Sequence, residues 1–445
     1  MPPSASRLIV TASSLLLGTV SISTLGCSVG EPIDESDQGT ALMSGTGSTS
    51  VADDDDGASG SDTGGHSGAV GEESSEGGES SEGSEGADEG SSDGGSETGA
   101  EDETEPSYSK TIRIAGAQVS GTEALTDFPV FVSLVDADLH DRATESGCDI
   151  AFFQGATPLD FELEQFERDH TETEAKLAAW VRIPSLAATE DTVISLHYGL
   201  PCGLYGDEIG VWGADYELVW HMGSDDAGLT TDSTINGFDG SLLGEPQAVE
   251  GKLGRSLMLD GIDDRIEGPY ASDLGIHSDA ARTFSVWANI QHYEATTWGG
   301  IFGIGRLGGG CCLYTGYGIT RGSDAVSFSV GGEWSQNANW SISEGGSGFD
   351  EWVHYAAVYD GDLSLRIYAN GQLIQDAQLT TPLDTVDDNP LRLPYADDYI
   401  IGGPRDEMRI SKQVLSGDWI ATEYNNQDDP GSFYEVGPEV AMPVG

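Results

Sequence analysis

The chain has 445 residues, of which 77 are Asp or Glu and only 18 are Lys or Arg, so its formal net charge is −59 at pH 7. A chain this acidic lacks the basic surface that phosphate contacts require, and we therefore predict no nucleic-acid partner. The same charge fits a protein kept soluble in a salty or calcium-rich exterior, where ions screen its self-repulsion.

Residues 1–26 have the layout of an export signal. Arg7 precedes a short apolar stretch, and the small residue Gly26 comes directly before Cys27. This ending resembles the lipobox of bacterial lipoproteins, in which the Cys is acylated. The resemblance implies lipidation of Cys27, with the membrane contacted only through that lipid. Ser28, where inner-membrane lipoproteins often have Asp, favours the outer membrane or cell surface. A plain signal peptide with a chance Cys remains the alternative.

Residues 27–106 are predicted to form a disordered acidic stalk. From 31 to 106 there is no Lys, Arg or aromatic residue, and Gly, Ser, Asp and Glu dominate. Such a segment cannot bury enough apolar surface to offset its ordering entropy. Repulsion between like charges extends it, so it is predicted to act as a spacer.

Residues 107–205 have the hydrophobic pattern of an all-β domain. Apolar residues alternate over 128–134 and 192–198, and short apolar runs occur at 148–153 and 179–183. These are strand patterns, and the prolines that follow several of them are typical of loops. We therefore predict an N-terminal β-sandwich over 107–205.

Residues 206–437 are predicted to form a second and larger β-sandwich of jelly-roll type, followed by a tail at 438–445. Its turns are frequent, and Asn370-Gly371 between two alternating stretches is a strong signal for a two-residue hairpin. One helix is expected, with Ser416 as its N-cap and its end near Asn426. The predicted fold class is all-β, with two sandwiches after the stalk.

Two family resemblances agree with this division. The ordered motifs Trp220-His-Met222, Leu259-Asp-Gly-Ile-Asp-Asp264, Trp352–Gly361 and Ile400-Ile-Gly-Gly403 are similar to those of a concanavalin A-like, laminin-G-like jelly roll. The segment before it, with Ala179–Pro184 and His197-Tyr-Gly199, resembles the domain of unknown function 2341. The first resemblance implies the fold but little about function, because such sandwiches occur in adhesins, lectins and enzyme accessory domains.

Four cysteines remain after Cys27, and in an exported protein they favour disulfides. We prefer Cys148 paired with Cys202, and Cys311 paired with Cys312, over cross-domain pairings, which stay open. Zinc at these cysteines is not expected, because adjacent thiolates lack the usual ligand spacing.

Glu162 and Glu164 are the candidate catalytic pair. Carboxylates two residues apart on a strand share a face, and paired carboxylates cut glycosidic bonds. The segment resembles the Glu-x-Asp-x-x-Glu motif of related glucanases, with Glu164 replacing the Asp, although it lies outside the jelly roll. A solvated face on an edge strand is the simpler interpretation.

Calcium is the cofactor that the sequence favours, in a structural role. Hard cations prefer oxygen ligands in tight loops, and the laminin-G resemblance raises this expectation. The alternative is that these Asp and Asn residues only form turns. The candidate ligands are Asp232, Asn236, Asp239 and Asp406, with Asp263 and Asp264 as further candidates.

The stretch between Ile290 and Trp352 is the candidate ligand-binding insertion. It is rich in Gly and carries aromatic residues that could stack on sugar rings. The candidate binding residues are Trp298, Tyr314, Tyr317, Trp334, Trp340 and Arg321. We therefore predict a non-catalytic, lipid-anchored surface protein that binds a glycan, or a matrix or surface protein. A glycoside hydrolase and an envelope scaffold are the alternatives.

Overall fold

A computed structural model describes residues 107–442, except 224–227, 294–298, 306–311, 320–324, 332–337, 344–349 and 395–400. The predicted signal, Cys27 and the acidic stalk lie outside the described residues. So do Cys311, Trp298, Arg321 and Trp334.

The first part of the described chain contains seven strands. In chain order these are β1 Tyr108–Ile114, β2 Leu125–Asp136, β3 Ala151–Gln154, β4 Thr157–Pro158, β5 Phe161–Glu167, β6 Ala175–Leu186 and β7 Thr192–Tyr198. The helical segments here are a 3₁₀ turn at Gly116–Gln118, α1 Ala137–Arg142 and α2 Glu208–Trp212.

The second part contains the remaining strands and two further helices. In chain order the strands are β8 Tyr216–Trp220, β9 Leu229–Thr230, β10 Gly240–Leu243, β11 Gln247–Glu250, β12 Arg255–Leu259, β13 Arg265–Glu267, β14 Arg282–Asn289, β15 His292–Tyr293, β16 Gly299–Gly305, β17 Cys312–Ile319, β18 Ala325–Gly331, β19 Ala338–Ser343, β20 Trp352–Tyr359, β21 Ser364–Ala369, β22 Gln372–Gln378, β23 Arg392–Leu393, β24 Ile401–Ser411, β25 Tyr434–Val436 and β26 Val440–Ala441. The helices are α3 Gly417–Asp428 and α4 Pro430–Phe433.

The first sandwich packs the sheet β2-β6-β5 against the sheet β25-β1-β7-β3-β4, and β26 also pairs with β1. Its core lies between the two sheets and includes Phe128, Val181 and Ile194. Strands β25 and β26 come after the whole jelly roll in sequence but pair with β1, so the last described part of the chain belongs to the first sandwich. A disulfide joins Cys148 to Cys202 within this sandwich, and this predicted pairing is confirmed.

The sheet β2-β6-β5 is buried on both faces. Val130 and Val181 face the core of their own sandwich, whereas Phe131 and Trp180 face a separate apolar cluster that includes Trp212 and Trp287. This explains why β6 reads as a nearly continuous apolar run rather than an alternating one.

The jelly roll consists of two antiparallel sheets. One has the order β19-β18-β17-β16-β23-β13-β10-β9, and the other has the order β11-β12-β24-β14-β20-β21-β22, with β8 and β15 also paired to β24. Its core is fully buried and includes Trp220, Phe284, Ile367 and Met408. The prediction of an all-β fold with a two-sheet jelly roll is confirmed.

Two local predictions agree with the backbone. Asn370 and Gly371 join β21 to β22, and their φ angles of 48° and 71° are the positive pair that a type I′ turn requires. Helix α3 begins after Ser416, whose side chain accepts a hydrogen bond from the amide of Trp419 at 3.1 Å. Within the part of the chain that the structure describes, no helix combines the length and the apolar character needed to span a membrane.

Candidate functional site at the junction of the two sandwiches

A cluster of charged side chains lies where the first sandwich meets the jelly roll. Glu162 and Glu164 come from β5, and His221 follows β8. Their partners on the jelly-roll side come from β24 and α3, and they are Asp406, Glu407, Arg409 and Glu423. The side chains of Glu162 and Glu164 are only 14% and 6% exposed, so the solvated face expected of this edge strand is not what the structure shows.

Two β-bulges bring these groups together. In β5, Leu163 pairs with Ala179 and Gln165 with Ala178, which leaves Glu164 as the extra residue of a bulge. In β24 the register shifts opposite β14, and Glu407 within that shift has a φ of 52°. Positive φ at a buried non-glycine residue costs on the order of 1–3 kcal/mol, and such residues cluster at functional sites.

Glu162 accepts three hydrogen bonds. Its Oε2 accepts from Trp212 Nε1 at 2.7 Å and lies 3.3 Å from His221 Nε2, and its Oε1 accepts from the Ser233 hydroxyl at 2.6 Å. Glu164 accepts from Trp180 Nε1 at 2.9 Å. Two tryptophans of the apolar cluster therefore orient the two carboxylates.

His221 lies between the two sandwiches with a carboxylate at each ring nitrogen. Its Nδ1 is 2.7 Å from Glu407 Oε1 and 3.9 Å from Glu164 Oε2, while its Nε2 faces Glu162. The imidazole also packs against the rings of Trp180 and Trp212, with centroids 5.8 and 5.5 Å away.

Arg409 is the main buried cation on the jelly-roll side. It donates to Glu407 at 2.6 Å and to Glu423 at 3.0 Å, and its side chain is 2% exposed. Its guanidinium lies over the rings of Trp180 and Trp212, 4.2 and 4.9 Å from their centroids. Cation–π contact of this kind is strongest where water is excluded.

The pKa values in the cluster diverge. Burial, together with the neighbouring Glu407 charge, raises the pKa of Glu164 to about 7. Burial also acts to raise the pKa of Glu162, but the charge and hydrogen bond of His221 outweigh it and lower that pKa. Burial disfavours charged His221, yet Glu407 and Glu162 raise its pKa well above the usual value. Perturbed titration in a cleft is typical of functional sites, although structural ion pairs also produce it.

A polar cleft of about 380 Å³ opens onto this cluster. Its lining includes Glu162, Glu164, His221, Thr230 and Ser233. These five side chains all present oxygen or nitrogen atoms to the cleft, and such a lining suits a small polar molecule or a cation.

The loop that was predicted to bind calcium has the contacts of a turn. Asp232 Oδ1 accepts from the amides of Val219 and Thr234, and its Oδ2 accepts from the amide of Phe238 at 2.8 Å. Asp239 in turn accepts from the amide of Asp232 at 2.9 Å. Asn236 donates to the carbonyl of Glu217 at 3.0 Å. Calcium at this loop stays a prediction.

The other predicted acidic ligands lie in two different places. Asp263 and Asp264 form a second group with Asp260, in which carboxylate oxygens lie within 4.8 Å of one another. Asp406 is fully buried at the junction, where its Oδ2 accepts from the amide of Leu253 at 2.9 Å.

The predicted ligand-binding residues that the structure describes lie on two strands of one sheet. Tyr314 and Tyr317 belong to β17 and Trp340 belongs to β19. Cys312 begins β17. Trp298, Arg321, Trp334 and Cys311 fall outside the described residues.

Comparison with known proteins identifies the class of the jelly roll. Residues 260–421 match the family model of the concanavalin A-like lectin/glucanases superfamily. That segment is therefore a concanavalin A-like domain. A comparison with the curated proteins found no match.

Several solved structures match part of this chain at low similarity. The binding domain of Paraclostridial Mosquitocidal Protein 1 is 11% identical, with a TM-score of 0.38, over 47% of this chain and 52% of its own. Domain 4 of an extracellular GH43 arabinanase from Geobacillus stearothermophilus, solved with arabinotriose, is 19% identical, with a TM-score of 0.36, over 47% and 98%. The receptor binding domain of botulinum neurotoxin C/D mosaic serotype is 14% identical, with a TM-score of 0.37, over 48% and 51%. This chain thus spans about half the length of the mosquitocidal protein domain and of the botulinum neurotoxin domain.

Proposed function

We propose that the chain is an exported, lipid-anchored surface protein whose jelly roll binds a glycan and catalyses no reaction. The observation that carries this proposal is the match of residues 260–421, which include the Gly-rich insertion, to the concanavalin A-like lectin/glucanases superfamily.

The insertion supplies aromatic residues for this role. Tyr314 and Tyr317 belong to β17 and Trp340 belongs to β19, and these strands lie towards one end of their sheet order. The apolar faces of sugars pack on aromatic rings. A glycan is therefore favoured over a matrix or surface protein.

The contacts of Glu162 and Glu164 support a non-catalytic role. Three donors occupy the oxygens of Glu162, and Trp180 donates to Glu164. Glu164 also lies so close to Gly254 of the jelly roll that a Cβ at that position would collide with its Oε1. Charged hydrogen bonds from fixed buried donors are typical of a structural carboxylate. We infer that this pair stabilises the junction.

Glycan binding is tested with the full chain purified in detergent and applied to a glycan array. The variant Trp340→Ala is expected to bind the best glycan at least about tenfold more weakly, a loss of about 1.4 kcal/mol. The matched control is Tyr270→Ala, which removes a 44% exposed aromatic residue elsewhere in the jelly roll. Equal binding by both folded variants contradicts the proposal, as does binding to a matrix protein alone. Sugar release that Glu164→Gln abolishes would favour the hydrolase instead.

Lipid anchoring rests on the export signal and on Cys27. Wild-type protein expressed in a bacterial host is expected to incorporate a palmitate analogue and to fractionate with membranes. The variant Cys27→Ser is expected to lose the label, because the acylated thiol is gone. Label that persists in Cys27→Ser, or unlabelled wild-type protein in the soluble fraction, contradicts the anchor.

A further inference from the structure

We propose that the cleft at the junction binds a divalent transition-metal ion of the zinc type through Glu164, His221 and Glu407. This site is independent of glycan binding, and it uses none of the cysteines. Its ligands come from both sandwiches, since Glu164 belongs to β5 and Glu407 to β24.

The distances suit a small ion. One atom from each of the three side chains lies within 4.8 Å of the others. His221 Nδ1 is 2.7 Å from Glu407 Oε1 and 3.9 Å from Glu164 Oε2. Tetrahedral zinc, with bonds of about 2.0–2.2 Å, separates its ligand atoms by roughly 3.3 Å. Small side-chain shifts would therefore admit the ion.

Glu162 would orient the histidine. Its Oε2 lies 3.3 Å from His221 Nε2, the ring nitrogen that faces away from the proposed metal. A carboxylate at the second nitrogen of a metal-bound histidine fixes the tautomer and raises the basicity of the ligand. Trp212 and Ser233 in turn fix Glu162 through hydrogen bonds of 2.7 and 2.6 Å.

The junction contains more buried carboxyl groups than buried cations. Five carboxyl groups meet there, those of Glu162, Glu164, Asp406, Glu407 and Glu423, and His221 and Arg409 contact several of them. Asp406 is fully buried, and its Oδ1 has no hydrogen-bond partner. A buried polar group without a partner is costly, so this set of side chains suits a bound cation.

The cleft supplies an entry path. Its lining includes the ligands Glu164 and His221 together with Thr230, Thr231 and Ser233, and the third ligand, Glu407, is buried behind it, 2.7 Å from His221. Nitrogen and carboxylate ligands together favour zinc or a related transition metal over calcium, which prefers oxygen alone. A water molecule from the cleft would complete the coordination shell.

The test is metal binding by the full chain in detergent after treatment with EDTA. Titration calorimetry with Zn²⁺ is expected to show one saturable site per chain, and Co²⁺ is expected to give the visible absorption of a tetrahedral site. Glu162→Gln is expected to weaken zinc binding by about 10- to 100-fold, as loss of an outer-shell carboxylate does. Glu164→Gln with His221→Gln is expected to abolish it.

The matched control is Asp263→Asn, in the separate acidic group with Asp260 and Asp264, which is expected to bind zinc as the wild type does. Folded wild-type protein that binds no zinc overturns the proposal. So does an NMR spectrum that shows His221 protonated on both nitrogens in saturating Zn²⁺. The double variant could fail to fold, and Glu162→Gln provides a test that does not depend on it. If Glu162→Gln binds zinc as tightly as the wild type and its Co²⁺ absorption is unchanged, Glu162 does not orient a metal-bound His221 and the proposed site is wrong.

Discussion

Replacing Arg409 by Met is expected to lower the free energy of unfolding by about 3–5 kcal/mol. The substitution leaves Glu407 and Glu423 buried without the cation that contacts both, at 2.6 and 3.0 Å. It also removes the guanidinium that covers Trp180 and Trp212. Breaking one side of a buried ion pair costs more than the pair contributes, because the remaining charge keeps its desolvation penalty.

Urea unfolding followed by tryptophan fluorescence would measure this loss. The control is Arg113→Gln, since the 3.6 Å pair between Arg113 and Asp191 is about half exposed on both sides. That control is expected to change stability by no more than about 0.5 kcal/mol. Arg409→Lys is expected to fall between the two, because it keeps the charge but loses the planar fork. If Arg409→Met lowers the free energy of unfolding by less than about 1 kcal/mol, Arg409 does not stabilise the buried Glu407 and Glu423 as proposed.

The size of this effect follows from the position of Arg409 over a second apolar core. Trp180 and Trp212 from the first part of the chain and Trp287 from the jelly roll belong to one buried cluster. The hydrogen bond from Trp287 Nε1 to Gln427, at 2.5 Å, adds helix α3 to the same region. A junction with its own core and buried charges couples the two sandwiches more strongly than a flexible linker could.

Local chemistry explains what the sequence predicted well. The hairpin at Asn370-Gly371 follows from the positive φ that those residues tolerate, and α3 begins where Ser416 can cap it. The strands of both sandwiches follow from period-2 alternation and from apolar runs. These signals depend only on neighbours in the chain, so a single sequence contains them.

The junction cluster depends on contacts that no local pattern encodes. His221 is 59 positions from Glu162 and 186 from Glu407 along the chain. The bulges that present Glu164 and Glu407 are features of strand pairing, which the sequence does not display. One signal was available: the segment Asp406-Glu-Met-Arg409 places three charges inside a strand whose described residues are all buried. Charged residues inside a buried strand indicate that they pair with other buried groups and do not face solvent.

The candidate ligand-binding insertion shows the same limit. Tyr317 and Trp340 are visible in the sequence as aromatic residues of a Gly-rich stretch. Only the pairing of β17, β18 and β19 shows that Phe328 lies between them in the register. Register depends on pairing across the sheet and on turn geometry, so the sequence could suggest the insertion but not the arrangement of its strands.

Removing residues 434–445 is expected to unfold the first sandwich while the jelly roll keeps its protection. These residues contain β25 and β26, which pair with β1 more than 300 positions earlier in the chain. Tyr434 is 4% exposed, and its hydroxyl accepts from the Ser133 amide at 2.6 Å and donates to the Ser133 carbonyl at 2.9 Å. Loss of one buried aromatic side chain alone costs about 3–5 kcal/mol, and the strand pairing is lost as well.

Hydrogen exchange measured strand by strand distinguishes this outcome from general destabilisation. Amides of β1 and β7 are expected to lose protection in the truncated chain, while those of β14 and β20 in the jelly roll retain it. Tyr434→Phe is expected to give a smaller loss of about 1–3 kcal/mol, because the half-buried amide and carbonyl of Ser133 lose their hydrogen bonds to the Tyr434 hydroxyl. Val440→Ala, at a position 58% exposed, is expected to change little. Uniform loss of protection in both sandwiches would instead mean that the shared cluster around Trp180 makes them one cooperative unit, whose stability depends on the return of the chain end to β1.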